Sequence, residues 1–187
     1  MIHHWIVLRA SGVPIGFANV AGMAIRGTLK RPLVQALIVS HQAELDFDHR
    51  QLEAHFLAGG DVEGVVKAAL ALRRLGQTVD PAALLALDLS DRRLPELVRA
   101  YARARERYPD LSFEEVMRRH LEGEDVIAAV DRGAFVPNAQ RTGWGLRVEY
   151  DVRSEAELNR LISALRESGT VYVRSPGTEA WRKVARP

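Results

Sequence analysis

The sequence predicts a mainly α-helical protein, built from helical-hairpin repeats into a short α-solenoid or multi-helix bundle, with a small C-terminal βαβ unit. Three observations carry that prediction. Apolar residues recur every 32 positions: Phe47, Val79 and Leu111; Leu52, Leu84 and Val116; Leu57, Leu89 and Leu121; Val62, Leu94 and Val126; Val66, Val98 and Val130. Helix-start signals keep the same spacing at Asp48, Asp80 and Ser112, backed by Gln51, Pro81 and Glu115. Beyond Pro137 the apolar period changes from helical to alternating. At an apolar fraction of 47%, an aligned apolar triplet arises by chance about one time in ten, so several triplets with three aligned caps mark a repeat. The alternative is a run of ordinary amphipathic helices of similar length.

Residues 1–31 form the first region. From Ala10 to Ile25 no residue is charged, but Gly12, Pro14, Gly16, Asn19 and Gly22 break up any long apolar helix. A membrane span needs about 20 largely apolar residues, and the start lacks the basic region and cleavage site of a secretory signal. Arg26, Lys30 and Arg31 follow at once. An uncharged apolar stretch beside a basic cluster is the pattern of a segment dipping into the cytoplasmic face of a membrane. Its apolar contacts would be Ile15, Phe17, Val20, Met23 and Ile25, and its basic ones Arg26, Lys30 and Arg31. A buried loop or strand followed by an Arg-rich helix start fits the same residues.

Residues 32–136 are the helical repeat domain. In the first full unit one helix runs from about Asp48 to Ala58 and a second from about Val62 to Leu75, whose stripe is Val62, Val65, Val66, Ala69 and Leu70. Gly59 and Gly60 supply the turn, and Gly123 falls on the same beat as Gly59. Pro32 to Ile38 repeat the second helix 32 residues earlier, so the array reads as one half-unit plus three pairs. A two-helix unit this small buries its stripe only by stacking on its neighbours, and such stacks usually present surfaces that bind other proteins.

Residues 137–187 form a small α/β region. Pro137 to Gly145 reads as a linker, and Leu146, Val148, Tyr150 and Val152 alternate with polar residues as a half-buried strand. Ser154 caps a helix with Glu157 closing the box, Gly169 stops it, and Val171 to Val173 is a second strand. Two strands alone do not make a stable sheet, so this βαβ piece must pack on the helices or pair with another chain. The tail from Ser175 to Pro187 reads as exposed and basic, with Trp181 as an anchor.

The composition, with 47% apolar and 27% charged residues, is that of a folded globular chain. Without cysteine there is neither a disulfide nor a thiolate metal site. The net charge of +2 demands no nucleic-acid partner.

Four segments carry a family resemblance: VAGM at 20–23, PLVQALIVSHQAELD at 32–46, QLEAHFLAGGDVEGVVKAALA at 51–71 and LDLSDRRLPELV at 87–98. Over roughly residues 12–98 the chain resembles the bacterial flotillin-like protein A family of membrane-microdomain scaffold proteins. QLEAHFLAGG is the most specific stretch, a run of mixed residue types that amphipathic patterning alone does not produce. The resemblance implies a membrane-bound homo-oligomer on the cytoplasmic side, without catalytic chemistry. Members of that family carry a longer hydrophobic segment before the matching region, then an SPFH domain and an Ala/Glu-rich coiled coil. Here the residues after Gly143 occupy the place of the SPFH domain, and no heptad run is present.

Catalytic raw material is thin. No serine lies in a Gly-x-Ser-x-Gly elbow, and no Gly-rich phosphate loop is followed by lysine. His49 and His55, six apart, face different ways on a helix, and His49 with Glu53 reads as an exposed pair, so no metal and no cofactor is expected. The helix-turn motif is His55 with Gly59 and Gly60, where His55 is expected to cap or pack at the helix end. The Arg99, Arg103, Arg105 and Arg107 face lacks interleaved aromatics and reads as solvated, so nucleic acid is not expected. The functional expectation is a non-enzymatic, membrane-associated scaffold that self-associates on the cytoplasmic side of the cell membrane, with an anionic lipid surface and a protein as further partners. The alternative is a soluble, cytoplasmic α-repeat adaptor for a protein or peptide.

Overall fold

The computed structural model describes residues 2–137, 140–142, 145–149, 171–174 and 182–184. Two compact units divide the chain: Met1–Ala102 with Ser112–Glu114, and Arg103–Leu111 with Glu115–Pro187. The helices are α1 (Ile2–Ala10), α2 (Phe17–Ile25), α3 (Arg31–Gln42), α4 (His49–Leu57), α5 (Val62–Arg74), α6 (Pro81–Ser90), α7 (Leu94–Arg107), α8 (Phe113–Leu121) and α9 (Val126–Asp131).

Helix starts keep the 32-residue beat at Phe17, His49, Pro81 and Phe113, and again at Val62, Leu94 and Val126. The array therefore holds four pairs where the sequence reading has three, because α2 supplies the first helix that pairs with α3. Helix α1 is a further copy of a second helix. Its end at Gly12 (φ +82°) matches Glu44 (φ +48°) after α3 and Gly76 (φ +72°) after α5, each in the left-handed region. Of the stretch from Ala10 to Ile25, Phe17–Ile25 is helix, and the loop before it at 11–16 buries Val13 and Ile15. Gly12 and Pro14 fall in the link between α1 and α2, and the N-cap of α2 is Gly16, which offers no side-chain cap. Gly22 sits inside α2, where a Cβ would lie 3.1 Å from the Arg26 guanidinium.

The caps explain why the elements begin where they do. Gln51 Oε1 accepts the Asp48 N–H at 3.2 Å at the start of α4. Asp80 Oδ1 accepts the Ala82 N–H at 3.0 Å before Pro81 opens α6. Asp61 and Asp125, two beats apart, each accept an N–H three residues on, from Gly64 at 3.0 Å and Ala128 at 3.2 Å.

In the first unit the core is the beat itself. Val20, Leu52 and Leu84 from the first helices are fully buried, as are Leu33, Val65 and Leu97 from the second. Burying each such side chain contributes roughly 1.5–3 kcal/mol. Tyr101 and Phe113 meet edge to face, ring centroids 5.4 Å apart.

In the second unit Val116 and Val126 are fully buried. Arg119, on a beat that is apolar at Met23 and Leu87, donates to both Glu124 oxygens at 2.6 and 2.7 Å and to the Val136 carbonyl at 2.6 Å. Its guanidinium also lies 4.7 Å from the Phe135 ring centroid. Strands β1 (Gln140–Thr142), β2 (Gly145–Glu149), β3 (Val171–Arg174) and β4 (Arg182–Val184) form one sheet in sequence order. The outer pairs are antiparallel; β2 and β3 are parallel, with Leu146 opposite Val171 and Val148 opposite Val173.

This corrects the expected βαβ unit. The described residues form a four-stranded mixed sheet: the linker at 137–145 contains β1, and the tail at 175–187 contains β4. Two further hydrogen-bonded strands give the central parallel pair the neighbours that a two-stranded piece lacks. The helix expected from Ser154 lies outside the described residues. Among the described residues no helix is long and apolar enough to cross a membrane.

Candidate functional site

The first unit carries two polar clusters that join helices, one buried at the helix-turn motif and one part-buried beside it. His55 stands on a beat position that Met23 and Leu87 fill with apolar side chains, and it too is buried. Its Nε2 lies 2.9 Å from Asp88 Oδ2 on α6, with both side chains 2% exposed. The same Oδ2 accepts the backbone N–H of Asp61 at 2.9 Å. One carboxylate oxygen therefore ties the end of α4 and the start of α5 to α6. Gly60 is required by this arrangement, since a Cβ would sit 2.1 Å from His55 Nε2. Gly59, at φ +81°, turns the chain out of α4.

The second cluster joins α2 to α4. Arg26 Nε and Nη2 donate to Glu53 Oε1 and Oε2 at 2.9 and 2.8 Å, a bidentate pair, and Thr28 Oγ1 donates to Oε1 at 2.6 Å. The bond from Arg26 holds the Glu53 carboxyl below its ordinary value; burial opposes this and Thr28 adds to it.

The residues of the expected membrane interface separate. Ile15, Val20 and Met23 are buried in the core, whereas Phe17, Ile25, Arg26, Lys30 and Arg31 are exposed. Phe17 packs edge to face on Trp5 at 5.7 Å, and Lys30 lies 6.0 Å from the Phe56 ring centroid. Sequence reasoning missed Asp88, Asp61, Thr28 and the burial of Glu53. Its available signal was His55 itself, a polar residue on an apolar beat that needs a buried partner.

These clusters hold helices together and offer little to a substrate. His55 and Asp88 are closed to solvent, and Ser90 spends its hydroxyl on the Leu87 carbonyl at 2.9 Å. His49 Nδ1 lies 2.9 Å from Asp48 and Glu53 is committed to Arg26. Among the described residues no group of three His, Cys, Asp or Glu could hold a metal ion. An open groove of about 540 Å³ is lined by Leu45, Phe47, Leu72, Arg73, Val79 and Leu84.

A sequence model of the family described as "Flotillin-like protein FloA" matches residues 1–171, so the likeness extends past residue 98 and takes in the last two helix pairs. Relatives described as flotillin-like protein FloA, from Staphylococcus saprophyticus, Staphylococcus haemolyticus and Staphylococcus aureus strain JH9, are each 37% identical over 94 residues. That alignment covers 50% of this chain and 29% of each relative. The chain thus spans less than a third of the length of the curated relatives it matches. No solved structure matches it.

Proposed function

The chain belongs to the flotillin-like protein FloA family, and from that premise we propose that it is a non-enzymatic, membrane-associated scaffold that self-associates on the cytoplasmic face of the cell membrane. The family match over residues 1–171 carries this reading. Two features support it. The polar groups at the QLEAHFLAGG turn are spent on joining helices, and exposed Phe17, Ile25, Lys30 and Arg31 mix apolar and basic character at the surface. Flotation of the full chain with phosphatidylcholine vesicles, with and without phosphatidylserine, tests the membrane part. The protein should rise with the vesicles, more so with phosphatidylserine and less in high salt. Flotation with neither kind would remove the membrane association.

One observation favours a second reading, a soluble α-repeat adaptor for a peptide or protein. The groove beside Phe47 and Leu84 is open, and its lining sets Leu45, Phe47, Leu72 and Val79 beside Glu44, Asp46 and Arg73. It predicts a monodisperse monomer that stays in the soluble fraction.

A further inference from the structure

Ile25, Leu57, Leu89 and Leu121 are 32 residues apart, and all four are exposed, at 87%, 58%, 46% and 59%. Each stands at the C-terminal end of the first helix of its pair. Other beats of the same helices are closed to solvent, Val20, Leu52 and Leu84 being fully buried. An apolar residue kept outside in every repeat is therefore a feature of the repeat and not a leak in its pattern.

In the first unit three of these side chains lie on neighbouring turns. Arg26 and Thr28, just past α2, bond Glu53 in the middle of α4, one turn before Leu57. His55, at the end of α4, bonds Asp88 at the end of α6. A Cβ on Gly59 would lie 3.9 Å from Arg92 Nη2, which places the α4–α5 turn against the α6–α7 turn. Helices packed side by side stand about 8–10 Å apart, so Ile25, Leu57 and Leu89 form a short row along one edge.

Exposed charge around that row is mostly basic, with Asp61 the exposed acid among it and Arg26 paired to Glu53. Arg26, Lys30, Arg31 and Arg92 are exposed. The neighbouring acids are engaged: Glu53 with Arg26, Asp61 as the cap of α5, and Asp91 with Arg93. Three side chains fall far short of the roughly 800 Å² per partner that a stable dimer buries, which argues against a second copy as the occupant. Isolated apolar tips ringed by cations suit shallow entry into an anionic bilayer, where the tips pass below the headgroups and the cations meet phosphate.

We infer that this edge of hairpin turns is the lipid-contacting surface: Ile25, Leu57 and Leu89 enter the interface of an anionic membrane, and Lys30, Arg31 and Arg92 bind its headgroups. The inference rests on the membrane reading above and locates it in three folded repeats instead of one linear segment.

The test uses the full chain and flotation with phosphatidylcholine–phosphatidylserine vesicles. The triple variant I25D/L57D/L89D should lose at least tenfold in partitioning, while I2D/I6D, on exposed positions of α1 that are not part of the row, should stay within about twofold of wild type. Because the chain has no cysteine, Leu57→Cys and Leu89→Cys can each carry an environment-sensitive dye without other changes. Both dyes should shift to the blue on adding vesicles, and a dye at exposed Lys67→Cys should not. If wild type floats while the triple variant floats equally, or the row dyes do not shift, the edge is not the contact and the membrane reading survives. If wild type does not float, both fall. A wild-type oligomer whose mass drops in the triple variant without vesicles would make the row a contact between copies and overturn the inference.

Discussion

The His55 imidazole and the Asp88 carboxylate are 2.9 Å apart with 2% of either side chain exposed, and they link α4 to α6 across 33 residues of sequence. Removing one partner leaves the other buried and short of a bond. H55A and D88A should each cost about 3 kcal/mol in urea unfolding, and the double variant less than the sum. Additive losses would mean that the pair does not couple the helices.

Gly60 should be intolerant of any side chain. The Cβ added by G60A lies 2.1 Å from His55 Nε2 and displaces the ring. G60A should cost about 1–3 kcal/mol by the same measurement, and much less in the H55A background, where the space is vacant.

Glu53 predicts a dependence on pH. Its folded-state carboxyl titrates below its unfolded value, first because of Arg26. The stability it contributes is therefore fully present above the unfolded value, about pH 4.3, and is lost as pH falls through the lower folded value. Unfolding midpoints between about pH 5 and 3 should fall more steeply for wild type than for E53Q. Parallel profiles would refute the assignment.

Leu52 and Leu57 lie on the same helix but on opposite sides of the beat. Leu52 is fully buried and Leu57 is 58% exposed. L52A should cost about 2–5 kcal/mol, and L57A no more than about 0.5 kcal/mol. Thermal or urea unfolding of the two variants checks the contrast.

The repeat was legible wherever its caps carried side chains. Asp48 and Asp80 mark α4 and α6, and His49, Pro81 and Phe113 begin helices at the spacing those caps set. Helix α2 was hidden because the same beat falls on Gly16, whose backbone starts a helix without an acceptor side chain to advertise it. Strands β1 and β4 escaped because Gln140–Thr142 and Arg182–Val184 are three residues each, too short to show an alternation. At the site, the turn at Gly59 and Gly60 could be read, but the Asp88 partner of His55 could not. Hydrogen bonds between repeats leave no local pattern, and only the mismatch of His55 with Met23 and Leu87 points to one.

Light scattering of the full chain, with and without phosphatidylserine-containing vesicles, tests the scaffold reading most directly. The account predicts a particle heavier than one 20.8 kDa chain that moves onto the vesicles when they are added. A monodisperse monomer, unchanged by vesicles at low salt, would contradict it.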